Sequence, residues 1–296
     1  MVSTTTLISL FLNGLAFWMV YFLFASGLSL VFGLMGVVNF AHGAFYMMGA
    51  YFGLLVYQQT FGTGFFFVAL LVGPIAVMAL SMIVERFTLM PLYGRGLIAH
   101  VLLTFGLALV IESVFRVIFN PITRRFPTPG LFDGTTAVGD VVFPHYRMFV
   151  ILVGTVVAIA MYLFLEKTRY GLIARAGMMN RDMVEANGVN IDRAYTLMFG
   201  IGGFLAGLAG IMAAPLFGVS PTMGQEIIIL GFVVVVIGGL GSFKGSLVGA
   251  LLIAMTQTYG NFFAPDLATF TLFVLMAVVL LVKPSGMFGQ EGVLEH

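Results

Sequence analysis

Cysteine is absent from this chain. Disulfides, thiol nucleophiles, cysteine metal sites and cysteine-borne lipid anchors are thereby excluded. Charge is nearly as scarce. Thirteen basic and twelve acidic residues make up 8% of the 296 positions, where an ordinary soluble domain carries about 25%. So few charges cannot cover a water-soluble surface. The first of them is Glu85. The formal net charge is +1 and no basic tract is present, which argues against a nucleic-acid partner. His100, His145 and His296 are all remote from His42, so no histidine metal site is expected. Serine, histidine and carboxylates do not approach the spacing of a nucleophilic triad, and no enzyme is expected.

What the chain has is hydrocarbon. Hydrophobic residues make up 60% of it, with 31 phenylalanines. Apolar spans are read at about 7–31, 37–57, 65–84, 97–119, 148–165, 194–216, 226–241, 246–262 and 267–282. Several reach the roughly 20 residues a helix needs to cross a bilayer. Helices satisfy their own backbone hydrogen bonds in lipid, whereas open sheets do not. The pattern predicts an all-α polytopic membrane protein with about eight or nine transmembrane helices, forming a single transmembrane domain over residues 1–292. The N-terminal MVSTTTLISLFLNGL lacks a positive n-region and is not expected to be a cleaved signal peptide. The closing LEH resembles an expression-tag scar, so residues 293–296 are set aside as partly tag-like.

Charge suggests an orientation. The 166–193 loop carries Lys167, Arg169, Arg175, Arg181 and Arg193, and basic loops tend to stay in the cytoplasm. The 85–96 loop, with Arg86 and Arg95, then lies on the same side. The N-terminus comes out external and the C-terminus, with Lys283, cytoplasmic. The external 120–147 loop holds Arg124, Arg125 and Arg147, and its TTAVGDVVF stretch predicts a short hairpin.

Polar and flexible stretches interrupt the hydrocarbon. GGLGSFKGS, residues 238–246, is not a nucleotide-binding loop, because Phe243 precedes Lys244 and Gly245 follows it. It reads as a flexible joint between two short helices, with Ser242 capping the second. A second interruption, GLMGVVNFAHGAFYMMGAY at 33–51, offers Asn39 as an N-cap. Paired glycine breaks, one in each half, point to a transport pathway between structural repeats. Residue-level similarity between the halves is weak. Candidate pathway residues are Asn39, Phe40, His42, Gly43, Gly239, Gly241 and Ser242. Asn39 and His42 either line the path or bond to freed backbone.

Elsewhere, Asn180 is placed to cap a short helix over Arg181–Asn187, and Gly188 to end it. Glu112 and Arg116 are spaced for an ion pair on one helix. Glu226 opens a span at its N-terminus, where negative charge suits the dipole. So few buried ionisable groups make a poor proton or sodium relay. A stand-alone secondary transporter or channel remains the alternative reading.

Several stretches together resemble the permease subunits of branched-chain amino acid ABC importers, the LivH type. They are NFAHG at 39–43, ERFTLMPLYGRG at 85–96, YGLIARAGMMNRDMVEANGVNIDRAYTLMFGIGGFLAGLAGIM from 170, VVVVIGGLGSFKGSLVGALL from 233 and KPSGMFG at 283–289. Tyr93 stands where the second motif usually has arginine, and Ser246 where the fourth usually has alanine. The resemblance implies the LivH/LivM-type permease fold and a multi-pass protein of the bacterial inner membrane. Expected partners are a second permease (LivM-like, or a copy of this chain), two cytoplasmic ABC ATPases and a periplasmic binding protein. The expected cargo is branched-chain or related amino acids. ATP and magnesium would be bound by the ATPase, and no cofactor is expected in this chain. The resemblance assigns ATPase coupling to Arg175, Asn180, Asp182, Met183, Glu185, Ala186 and Gly188. The 120–147 loop matches none of these motifs, but its Arg124 and Arg125 are candidates for meeting acidic residues on the binding protein.

Overall fold

The computed structural model describes residues 2–60 and 63–289. The tag-like 293–296 lies outside them. Each of the nine apolar stretches carries a helix, the second only from Ala41 on. The first unit comprises α1 (Thr4–Met35), α2 (Ala41–Thr60), α3 (Thr63–Val84) and α4 (Leu97–Phe119). A connecting region holds α5 (His145–Lys167), α6 (Arg169–Met179) and α7 (Arg181–Ala186). The second unit is α8 (Ile191–Phe217), α9 (Met223–Gly238), α10 (Phe243–Phe263) and α11 (Ala268–Val282). Between α4 and α5, strands β1 (Thr135–Val138) and β2 (Val141–Pro144) pair antiparallel, with Val138 opposite Val141. Gly139 supplies the positive φ of their two-residue turn, as TTAVGDVVF predicted.

Among the described residues, six helical stretches are long and apolar enough to cross a membrane. The α9–α10 pair, bent by 119° at its break, adds a seventh if taken as one span. The sequence-based count of eight or nine is therefore approximate. α2 is not among the six, because His42, its glycines and tyrosines and the closing glutamines dilute its apolar character.

α1 and α8 form the centre, about four-fifths buried, while α4, α5 and α11 turn most of their apolar surface outward. The packing repeats. α1 lies against α10 as α8 lies against α3, α2 touches α4 as α9 touches α11, and α1–α8 and α2–α9 contact one another. Both central helices end on a glycine with positive φ, Gly36 (64°) and Gly218 (80°). That conformation is open to glycine and strained for other residues. Each glycine opens a five-residue link to the next helix. The link at 36–40 therefore corresponds to 218–222, not to the break at 238–246 with which the sequence paired it. The glycine-rich composition of GGLGSFKGS drew attention to a joint one helix too late.

The two units run in opposite directions. Asn13 of α1, the start of α5 and the end of α10 share one end, joined by the Arg147–Asn13 hydrogen bond and by Tyr259 donating to the Leu7 carbonyl. The bridge Arg124–Val219 places the 120–147 loop and the end of α8 there too. We call this the hairpin end. The opposite, basic end gathers the 85–96 loop, α6, α7, the α9–α10 joint and residues 283–289, whose Met287 and Phe288 amides donate to Ile237 and Gly238.

Candidate translocation and coupling site

α2 does not begin at a membrane surface. After Gly36 the chain folds back along α4, where Thr104 donates to the Val38 carbonyl (3.1 Å) and accepts from the Phe40 amide (3.2 Å). His42 then reaches the middle of α1, its Nε2 donating to the Phe24 carbonyl at 3.0 Å. α9 likewise begins inside the bundle. A Cβ on Gly224 would lie 2.6 Å from the Gly43 carbonyl oxygen, and Gly43 meets Gly224 in the same way. Two helices thus start back to back in the interior, one leading to the hairpin end and the other to the basic end. Their N-terminal N–H groups concentrate partial positive charge at the junction.

A cavity of about 40 Å³ sits beside this junction, lined by Phe40, Ala44, Pro221, Gln225 and Glu112 among others. A water needs roughly 10–15 Å³ of such space, so the cavity has room for water and not for an amino acid. The junction is closely packed here. Phe40 faces the cavity, and Gly43 forms the contact beside it. Asn39 and His42 do not line it; both are fully buried in the packed core. Asn39 is not the N-cap that the sequence predicted. Neither its Oδ1 nor its Nδ2 has a hydrogen-bond partner; the His42 amide donates to the Asn39 backbone carbonyl, and Thr104 holds the backbone on either side. Glu112 pairs with Arg116 as the spacing predicted, and the pair spans from this cavity to the outer surface of α4.

The other pathway candidates lie far from the junction, at the basic end. Ser242 caps α10 through the Gly245 amide (3.0 Å), as expected. Gly239 packs against Gly286 and Gly289, and Gly241 against Gly33, where a Cβ would come within 2.7 Å of the Gly241 Cα. The α9–α10 joint is therefore pinned to the end of α1. The seven residues form two separate groups, and only Phe40 and Gly43 are at the closed junction.

α7 is the short helix the sequence predicted, ending at Ala186 with Asn187 as its C-cap. Asn180 caps it by accepting from the Met183 amide at 2.9 Å. Gly188 comes next but one, with φ 78°. Asp182, Met183, Glu185 and Ala186 are exposed, and Val184 is tucked under. Arg175 does not belong to this face. It sits on α6, paired with Glu166 at 2.6 Å.

Behind α7 lies a device that the sequence did not single out. Glu85 is fully buried in a π-helical turn, Glu85–Leu89, that ends α3. Such turns are rare and frequently functional. Thr196, on the second turn of α8, donates to one carboxyl oxygen at 2.7 Å, and the Tyr93 hydroxyl donates to the other. Burial, and after it the hydrogen bond to Glu85, hold the Tyr93 hydroxyl well above the usual phenol range. It therefore stays protonated as a donor.

At the hairpin end, Arg124 is folded back. Its Nη2 donates to the Phe119 carbonyl at 2.8 Å and its guanidinium stands over the Phe119 ring. Arg125 is exposed. Among the described residues, no cluster of His, Asp or Glu could hold a metal ion.

The sequence profile of the family described as "Branched-chain amino acid transport system / permease component" matches residues 10–282. The chain belongs to this family. Among its relatives is the high-affinity branched-chain amino acid transport system permease protein BraD of Pseudomonas aeruginosa, 29% identical over 95% of both chains. LivH of Escherichia coli K12 is 27% identical over 95% of both. A more distant match is the ribose import permease protein RbsC of Haemophilus influenzae, 30% identical over 55% of this chain and 51% of that one. No solved structure matches. As a family member, the chain is a polytopic permease.

Proposed function

We propose that this chain is the membrane-spanning half of an ATP-driven importer for branched-chain or related amino acids, powered by a separate ATPase docked at α7. The observation that carries the reading is the pairing of two features in one permease. One is a closed junction where α2 and α9 start; the other is a small, capped, exposed helix at the opposite end of α8 from the α8–α9 link. α8 connects them directly.

Charge supports the orientation. Nine of the thirteen Lys and Arg residues lie at the basic end and four, Arg116, Arg124, Arg125 and Arg147, toward the hairpin end. By the positive-inside tendency the basic end is cytoplasmic. The N-terminus is then external and the C-terminal segment cytoplasmic. Asp182, Met183, Glu185 and Ala186 form the surface offered to the ATPase, with Asn180 and Gly188 holding its shape. Arg175 acts from α6 by bracing Glu166. At the external end, Arg125 meets the binding protein, while Arg124 shapes the loop. The outward apolar faces of α4 and α11 meet lipid and a second permease.

Motion at α7 would reach α3 through the Thr196–Glu85 bond and the junction through α8. The test is uptake of radiolabelled leucine into proteoliposomes containing this chain, its partner permease and the ATPase. ATP-dependent uptake that stops with an ATPase disabled in hydrolysis is the expected result. Equal uptake with the ATPase disabled or omitted would instead establish a stand-alone transporter.

A further inference from the structure

The α9–α10 joint also walls a cavity of about 940 Å³. That is near the top of the range of about 300–1,000 Å³ for small-molecule sites. It lies between α1, the last turns of α5, α6 and the joint, at the basic end. Its chemistry is divided. Leu30, Met161, Leu165 and Phe243 make one part apolar, and Glu166, Arg175 and Lys244 charge another. Arg175 and Glu166 neutralise each other, which leaves Lys244 as the net positive charge. Lys244 is exposed in the first turn of α10, where the helix dipole adds to it.

Two residues that line this space carry buried side-chain polar atoms without partners. Ser29 is 1% exposed and its hydroxyl makes no hydrogen bond; the Arg175 Nε is buried and equally unpartnered. Buried polar groups are normally satisfied, so these point to an occupant with acceptor oxygens. The occupant must also carry one negative charge and enough apolar length to fill the remainder. A compact amino acid meets neither the length nor the net charge.

We propose that this cavity binds an anionic phospholipid of the adjacent leaflet. Lys244 and Arg175 face the phosphodiester, Ser29 supplies a donor for an ester oxygen, and the acyl chains lie along Leu30, Met161 and Leu165. Basic pockets between spans are a known mode of headgroup recognition. The GGLGSFKGS segment thus binds phosphate after all, in a lipid and not a nucleotide. The lipid would lie beside the Gly33–Gly241 contact that pins the α9–α10 joint to α1, and its presence would brace that contact.

The proposal is tested without ATPase or transport, so it stands or falls separately from the importer reading. The full-length chain is purified, stripped of lipid, and titrated with phosphatidylglycerol or phosphatidylcholine while bound lipid is counted by native mass spectrometry. One phosphatidylglycerol per chain is expected, bound at least about fivefold more tightly than phosphatidylcholine, the weight of roughly one basic residue. Lys244→Gln should remove that preference and Lys244→Arg keep it. Leu30→Trp, which fills the apolar part, should block binding with the charges intact; its thermal midpoint is checked alongside. Equal binding of the two lipids, or no effect of Lys244→Gln, overturns the proposal. Displacement of the lipid by millimolar inorganic phosphate or leucine also overturns it, since the site would then belong to a free anion or to the transported solute.

Discussion

Thr196 donates a 2.7 Å hydrogen bond to the buried carboxyl of Glu85, tying the start of α8 to the π-turn that ends α3. The segment after α7 is thereby joined to the first unit through a buried acidic group. Thr196→Val removes the donor and leaves the carboxyl short of a partner, at a cost of about 1–3 kcal/mol. A lower thermal midpoint in detergent is expected, together with uptake that falls more than ATP hydrolysis does. Thr196→Ser should restore both. Unchanged coupling in Thr196→Val would remove this bond from the transmission path.

Tyr93 holds the other side of the same carboxyl, and burial raises its pKa. A raised folded-state pKa means that its contribution to stability is fully present below the unfolded value of about 10. That contribution is lost as pH climbs from there through the folded-state value. Melting curves of wild type and Tyr93→Phe should therefore run parallel through neutral pH and converge only above about pH 10. Convergence below about pH 8, two units under the free phenol, would show that the hydroxyl ionises readily in the folded protein.

At the junction, Gly224→Ala places a Cβ 2.6 Å from the Gly43 carbonyl oxygen. Backbone on both sides cannot yield as a side chain would. Overpacking of this kind costs about 1–3 kcal/mol, and α2 and α9 would be pushed apart at the junction where the proposed path is closed. A depressed thermal midpoint and loss of regulated uptake are expected. Gly106→Ala is the control, since its Cβ meets nothing within 4 Å and should leave both readouts unchanged.

On α7, Met183 is 61% exposed. Met183→Glu should leave the permease folded and membrane-inserted while abolishing ATP-driven uptake and co-purification of the ATPase. Gly188→Pro should act on the same readouts through the helix end, because proline cannot adopt φ 78°. Full uptake by Met183→Glu would place ATPase contact elsewhere.

Much of this architecture is legible in the sequence because hydrocarbon length and caps are local properties. The nine apolar stretches, the hairpin, the Asn180 and Ser242 caps and the Glu112–Arg116 pair all depend on neighbours within a few positions. The misses are long-range. Asn39 has a cap's place in sequence just before a helix, yet its side chain is unpartnered, and the link around it is held by Thr104, some sixty residues on. The correspondence of Gly36 with Gly218 is one of φ and packing, and the residues around them have diverged. Glu85 was visible as the first charge in the chain, but only folding brings Thr196 and Tyr93 to it. The resemblance groups Arg175 with α7, whereas Arg175 lies on α6, before the break at Asn180, and pairs with Glu166.

The lack of any cysteine allows the central claim to be tested cleanly with single-cysteine variants. Met183→Cys and Arg125→Cys are each labelled with a membrane-impermeant maleimide in right-side-out and inside-out vesicles, with and without the ATPase. The account predicts that Met183→Cys reacts only in inside-out vesicles and is protected by the ATPase, and that Arg125→Cys reacts only in right-side-out vesicles. Labelling of Met183→Cys from the outside, or no protection by the ATPase, would contradict it.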